Sequence, residues 1–180
     1  MSSSWALAVF NASASGVLIN AGVAKIVAPG ALLRASAEVL AMPPRAGEPL
    51  ARGLGAIEVA AATALLAAPA RLPGAIAVAV LGVCFASVGV VGVLRGSSVP
   101  CGCFGGVTRQ PLGWANVALG IALAAAWPVN LLTGWRPGAD YSLRIALLTS
   151  IASIVLCLWL NRSLIFRVLR ASRIPQPEVS

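Results

Sequence analysis

The chain has 180 residues, of which 59% are apolar and only 10% charged, and its mean hydropathy is +0.92. Soluble domains carry about 45–50% apolar and roughly 25% charged residues, so this composition excludes an ordinary soluble fold and indicates a membrane protein. A chain this apolar is also unsuited to nucleic-acid binding, so we interpret its net charge of +8 as attraction to the lipid bilayer and as a topology signal.

Five stretches of the chain are apolar enough to form transmembrane helices. A helix needs about 20 mainly apolar residues to cross a hydrocarbon layer roughly 30 Å thick. The stretches, in chain order, are about 5–24, 53–68, 72–94, 113–132 and 145–160. The sequence therefore predicts an all-α, polytopic membrane helix bundle. Residues 1–135 form its four-helix core, and residues 136–180 hold a fifth helix and a basic C-terminal tail.

Local patterns refine this bundle. In the connection between the first two spans, Pro29 and the pair Pro43-Pro44 bracket a predicted short helix at the membrane interface. Small residues in a span let helix backbones approach closely, so the third span is expected to pack through its small face, Gly82, Ala86, Gly89, Gly92 and Gly96. The polar residues of the first span are expected to face the bundle: Asn11, Ser13, Ser15 and Asn20.

Because successive spans alternate in direction, one membrane face receives the ends of the first, third and fifth spans. We call it the motif face, because it carries the 95–112 connection. Glu58 lies about five residues inside the second span, and thus about 8–9 Å below this face. An intramembrane carboxylate costs about 2.5–3.5 kcal/mol, so we expect Lys25, at a similar depth, to pair with it. The pair either fixes helix packing, or tunes thiols on the same face or relays a proton.

The 95–112 connection contains Val99-Pro100-Cys101-Gly102-Cys103-Phe104-Gly105-Gly106. Two cysteines separated by one glycine can close a small, strained disulfide ring that is easily reduced and exchanges with other thiols. Pro100 and the glycines suit a tight turn. Positive groups on the motif face that would favour the reactive thiolate are Arg95, Arg109 and Lys25.

Other interpretations of these cysteines stay open. The pair could bind Cu(I), for which thiolates are good ligands, although the chain has no His and only two Met. It could also be a structural staple in a non-enzymatic scaffold or small transporter, or a site of acylation. We interpret Cys84 and Cys157 as small apolar residues that pack within their spans.

The order and spacing of these features resemble the MauE family of methylamine-utilisation membrane proteins, which lies near the DoxX-like and vitamin K epoxide reductase-like four-helix folds. The resemblance extends over roughly residues 5–130, so the fifth helix and the tail lie outside it. It rests above all on Cys101-Gly102-Cys103-Phe104-Gly105, supported by Asn20-Ala21-Gly22-Val23-Ala24-Lys25-Ile26, by Glu58 and by Leu94-Arg95-Gly96.

The resemblance implies a multi-pass protein of the bacterial inner membrane that handles disulfides. Cys101 and Cys103 would be a redox-active pair, and hence the catalytic residues of a thiol–disulfide oxidoreductase. They would work with a thioredoxin-like partner on a disulfide-containing client protein. Supporting residues would be Lys25, Glu58, Pro100, Gly102, Phe104 and Gly105. The sequence identifies no cofactor, but analogy with the epoxide reductase-like fold allows a quinone as electron acceptor.

Two arguments disagree about which side of the membrane the motif face occupies. Positive residues flanking the spans number ten on the motif face and three on the opposite face, which favours the cytoplasm. The family role prefers the oxidising outer side, where disulfides persist. The ten are Lys25, Arg34, Arg45, Arg52, Arg95, Arg109, Arg162, Arg167, Arg170 and Arg173, and the three are Arg71, Arg136 and Arg144.

Overall fold

The structure, a computed structural model, describes residues 2–40, 44–97 and 112–133, together with residues 148 and 151. Within these ranges it consists of α-helices joined by short turns, one of which is a 3₁₀ turn, Ala68–Ala70. The helices are α1 (Ser2–Val27), α2 (Gly30–Leu40), α3 (Pro44–Leu66), α4 (Arg71–Leu94), α5 (Trp114–Ala124) and α6 (Ala126–Thr133).

Four stretches of the described chain are long and apolar enough to cross a membrane. They are Ala6–Val27, Gly47–Leu66, Ala68–Leu94 and Trp114–Thr133. The predicted all-α membrane bundle is therefore confirmed. Of the predicted fifth helix, 145–160, only residues 148 and 151 are described, and both are helical.

The second span differs most from its predicted extent. Helix α3 begins at Pro44, before the predicted start at residue 53. Proline suits a first helical position because its φ is already fixed and its missing N–H would have no helical partner there. The helix continues through Pro49 at the loss of one backbone hydrogen bond. An exposed ion pair one turn apart, Arg52 to Glu48 at 2.8 Å, supports these first turns.

The predicted short helix between the first two spans is confirmed as α2. It packs against the beginning of α3. Leu33 Cδ2 lies beside Gly47, so close that a Cβ on Gly47 would be 2.6 Å from it. Helix α2 therefore covers the turns of α3 that extend beyond the end of α1.

The fourth span consists of two helical pieces in line. Helix α5 ends at Ala124 and α6 begins at Ala126, because Pro128 has no N–H to donate to the carbonyl of Ala124. Bonding resumes with the N–H of Val129, which donates to the Ala125 carbonyl at 3.0 Å.

The spans form a closed ring. Helix α1 packs against α3, α3 against α4, and α4 against α5 and α6, while α6 returns to contact α1. The centre of the bundle is filled by side chains from all four spans, including Leu18, Leu65, Val78 and Leu123. Large apolar side chains also point outward, as expected for a bundle surrounded by lipid.

The predicted small face of the third span is confirmed as the α4–α5 contact. A Cβ on Gly82 would lie 2.6 Å from the carbonyl oxygen of Gly120, and one on Gly120 would meet the backbone nitrogen of Ala86. Gly89 lies against Val117, and Gly92 against Leu112. Gly96 is outside this contact and instead adopts a positive φ of 59° in the turn that follows α4.

Candidate functional site

The structure describes two of the predicted site residues, Lys25 and Glu58. The others lie outside the described residues: Pro100, Cys101, Gly102, Cys103, Phe104 and Gly105. Cys157 is also outside them, whereas Cys84 is described. The candidate site is therefore built from Lys25 and Glu58 and from the two ends of the connection that carries the cysteines.

Lys25 and Glu58 form an ion pair inside the bundle. The Lys25 Nζ lies 2.8 Å from both carboxylate oxygens of Glu58, and it donates a hydrogen bond to Oε2. The side chains are 1% and 0% exposed. Nζ is also 3.4 Å from the carbonyl oxygen of Ala21, one turn earlier in α1. The predicted pairing of these two residues is therefore confirmed.

The contact between the two charges depends on a close crossing of α1 and α3. A Cβ on Gly22 would lie 2.5 Å from the carbonyl oxygen of Gly55, and one on Gly55 would lie 2.6 Å from that of Gly22. Lys25 and Glu58 each follow the crossing glycine of their helix by three residues. Because residues three apart share a helix face, both side chains emerge beside the crossing.

A third helix contributes an aromatic ring. The Lys25 Nζ lies 5.3 Å from the centroid of the Phe85 ring on α4, within the range of a cation–π interaction. The ion pair therefore connects three of the four spans. The sequence analysis missed Phe85, because depth alone does not tell which side of a neighbouring helix faces a buried charge.

Glu58 lies further along its span than the sequence predicted. It follows Gly47, where the candidate span begins, by eleven positions, or about 16 Å along α3, whereas the predicted span placed it about five residues from the start. Lys25 is two residues from the end of α1. The pair is buried near the end of α1 because α3 continues past that point and α2 packs on the extension.

The hydrogen bonding of Glu58 is incomplete. In the described structure Oε1 is buried and accepts no hydrogen bond, although it is 2.8 Å from the Lys25 Nζ. The distance and the missing hydrogen bond are compatible, because ion pairing requires proximity while a hydrogen bond also requires alignment. The carboxylate is therefore held by one hydrogen bond and by charge.

Both ends of the cysteine-bearing connection are held at one point of the bundle. At the end of α4 the Ser97 N–H donates to the carbonyl of Gly92 at 3.0 Å. Leu112, where the described chain resumes, packs its side chain onto Gly92. Ser97 and Leu112, the described residues on either side of 98–111, thus lie close together, at the same end of the bundle as Lys25.

Two asparagines also stand out beyond the predicted set. Asn130 on α6 and Asn11 on α1 exchange two hydrogen bonds, each 2.9 Å long. Asn116, near the start of α5, has a buried Nδ2 without a hydrogen-bond partner among the described residues. Asn116 and Asn130 are the two amide side chains of the predicted span 113–132, which is otherwise apolar, and that contrast was the available signal for a bundle-facing role.

An apolar groove of about 410 Å³ runs along α4 and the junction of α5 and α6. It is lined by Ile76, Ala79, Val80, Val83, Cys84, Ala124 and Trp127. Among the described residues of this lining none is charged, and the hydrogen-bond donors are the Trp127 indole N–H and the Cys84 thiol. The quinone stays a prediction from analogy, and we derive no electron transfer through one.

Comparison with known proteins identifies the family. The sequence model of the family described as methylamine utilisation protein MauE matches residues 3–160, and so extends past the 5–130 resemblance into the fifth predicted helix. A relative from Paracoccus denitrificans, methylamine utilization protein MauE, is 33% identical over 106 residues. These cover 54% of this chain and 57% of the relative. No solved structure matches. With most of its length matched and four helices able to cross a membrane, the chain belongs to the MauE family and is a multi-pass membrane protein.

Proposed function

We propose that this chain is a thiol–disulfide redox protein of the bacterial inner membrane. Cys101 and Cys103 exchange a disulfide with a thioredoxin-like partner during the maturation of a disulfide-containing client. The observation that carries this proposal is the Cys101-Gly102-Cys103 pair in a connection whose two ends are held together at one end of the bundle. Membership of the MauE family supports it and favours a client of the methylamine-utilisation type.

The exchange proceeds in two thiol-transfer steps. A thiolate of the reduced partner attacks one sulfur of the Cys101–Cys103 disulfide, whose S–S bond breaks as a mixed disulfide forms. The second thiolate of the partner then attacks the mixed disulfide and releases Cys101 and Cys103 as thiols. The partner has lost two electrons and the pair has gained them, and the same steps in reverse carry electrons the other way.

Lys25 has a structural part in this proposal. Its ammonium lies 2.8 Å from Glu58, and the pair holds α1 and α3 together at the end of the bundle where the connection begins. Arg95, at the beginning of the connection, is exposed, and Arg109 lies within the connection itself. With Lys25, these two arginines are the positive groups proposed to favour a thiolate.

The test is a two-electron exchange with reduced thioredoxin as the probe. The purified, oxidised protein should oxidise one thioredoxin dithiol per chain, read as the loss of two alkylatable thiols from thioredoxin. Cys101→Ser and Cys103→Ser should each abolish the exchange. Cys84→Ser is the matched control and should exchange like the unmodified protein, because Cys84 lies in the α4 groove within the span.

Unchanged exchange in the Cys101→Ser/Cys103→Ser double variant would refute the proposal. A chain that retains its biological role without either cysteine would instead be a scaffold. Alkylation of intact cells with a membrane-impermeant thiol reagent, with and without reductant, reports the side of the membrane. Labelling only after reductant is expected if the pair is oxidised on the outer side, and no labelling of intact cells if it faces the cytoplasm.

A further inference from the structure

The apolar groove beside α4 is a surface at membrane depth that the described chain leaves open. Its α4 side consists of side chains between Ile76 and Cys84, and Val80 and Val83 are both more than half exposed. Its other side is the α5–α6 junction, where Trp127 is 49% exposed. The groove is therefore apolar and open along about two turns of α4, or about 12 Å, where a helix can dock.

The chain itself supplies a candidate helix next to this groove. Helix α6 ends at Thr133, and the uncharged stretch 145–160 follows after residues 134–144. Eleven connecting residues can span up to about 36 Å, so a helix that begins at residue 145 can reach the groove. It would run parallel to α4, because both would start at the membrane face opposite the motif face.

Leu148 and Ile151 show which side of this stretch faces away from the protein. Both are helical and exposed, by 67% and 57%. Residues three apart share one face of a helix, so a helix over 145–160 would present the opposite face to the bundle. That face holds small residues in the spacing that allows close helix packing in lipid: Ala146, Ser150, Ser153 and Cys157.

The depths of the two unassigned cysteines also agree. Cys84 follows Leu72, at the start of the third predicted span, by twelve residues, and Cys157 follows Ile145, at the start of the fifth, by twelve residues. Each is therefore about 18 Å from the opposite face if both helices start at the same level. Cys84 lines the groove, and Cys157 lies on the small face.

We propose that the segment 145–160 is a transmembrane helix of this chain that docks its small face into the α4–α6 groove and brings Cys157 next to Cys84. The helix covers the exposed side chains of Val80 and Val83, and Leu148 and Ile151 face the lipid. The ring of four spans gains a fifth helix, and the bundle contains a second pair of adjacent thiols. This inference does not depend on the proposed redox function.

The test is oxidative cross-linking of the two native cysteines. In the Cys101→Ser/Cys103→Ser protein in membranes, copper–phenanthroline should link Cys84 to Cys157 within one chain, detected by mass spectrometry of the unreduced digest. A second pair comes one helical turn earlier. With all four native cysteines replaced by serine, Val80→Cys with Ser153→Cys should link, because both positions follow the start of their span by eight residues.

The matched control is Val80→Cys with Val155→Cys, at nearly the same depth but on the face of Leu148 and Ile151. It should link at least fivefold less than the Ser153 pair. Links that form only between two chains would overturn the proposal and assign the groove to a second copy. If Val80→Cys linked equally well to Ser153→Cys and to Val155→Cys, the proposal would be overturned too. If neither Cys84–Cys157 nor the Val80→Cys–Ser153→Cys pair forms a link, the docking is refuted and the groove is filled by lipid.

Discussion

The Lys25 ammonium and the Glu58 carboxylate are enclosed by protein, so removing one charge leaves the other unmatched in a medium of low polarity. Breaking a buried pair typically costs about 3–5 kcal/mol, whereas replacing both members by apolar residues is often neutral. We expect Glu58→Gln to lower the free energy of unfolding by about that amount. Lys25→Met/Glu58→Leu should recover most of the loss, as measured by denaturant titration in detergent micelles.

The exposed Arg52–Glu48 pair provides the control for this experiment. Its N–O distance is also 2.8 Å, but its side chains are 58% and 50% exposed. Pairs of this kind contribute about 0.3–0.5 kcal/mol, so Glu48→Gln should hardly change the unfolding curve. Similar losses from Glu48→Gln and Glu58→Gln, or a double variant as unstable as Glu58→Gln alone, would contradict a buried ion pair.

At the residue scale, the pairing of Lys25 with Glu58 was predictable, and the direction of a side chain around its helix was less so. Asn11 and Ser15 are buried as predicted, and the Ser15 hydroxyl donates to the Ala62 carbonyl at 3.0 Å. The prediction for Ser13 is wrong, since that residue is exposed. Two residues along a helix turn the side chain by about 200°, so Ser13 cannot share the face of Asn11 and Ser15.

At the scale of elements, the α4–α5 contact depends on the absence of side-chain atoms at its glycines. Gly120→Ala would place a Cβ against the Ala86 backbone nitrogen, so the two helices would have to separate. We expect a loss of about 1–3 kcal/mol in the free energy of unfolding. The measurement is the same denaturant titration.

Gly53→Ala is the matched control, because a Cβ at this position meets nothing within 4 Å. Alanine is favoured over glycine in a helix by up to about 1 kcal/mol, so this variant should be as stable as the unmodified chain or more so. A Gly120→Ala variant that unfolds like Gly53→Ala would show that the two helices do not pack as closely as the structure has them.

The elements themselves were largely predictable from apolar length and proline position. Four spans and the short helix α2 follow from these two signals. The early start of α3 was missed, because the charged residues before position 53 hide a helix whose first turns pack on α2. The break at Ala125 follows from Pro128, but a hydropathy pattern does not separate a continuous span from two helical pieces in line.

At the scale of the whole molecule, Asn11 and Asn130 connect the first span to the last one that is described. Hydrogen bonds between membrane helices contribute about 0.6 kcal/mol on average and at most about 1.7. Asn130→Ala should therefore lower the free energy of unfolding within that range. A double-mutant cycle with Asn11→Ala should show that the two losses are not additive, because they remove one shared interaction.

Thr133→Ala is the control for the asparagine cycle. The Thr133 hydroxyl donates to the Val129 carbonyl of its own helix at 2.7 Å, so the change removes no contact between spans. Additive losses from the two asparagine variants, or an equal loss from Thr133→Ala, would contradict closure of the ring by this pair. The closure itself was not predictable, because the sequence orders the spans along the chain but not around the bundle.

The ion pair also has a consequence for biogenesis. Lys25 and Glu58 are 33 positions apart, so the lysine is synthesised before its counterion. Before α3 packs against α1, the flexible stem of Lys25, close to the end of α1, can extend its ammonium to the lipid headgroups. Packing of α3 draws that charge inward, so we expect the first span to reach its final position only when the second joins it.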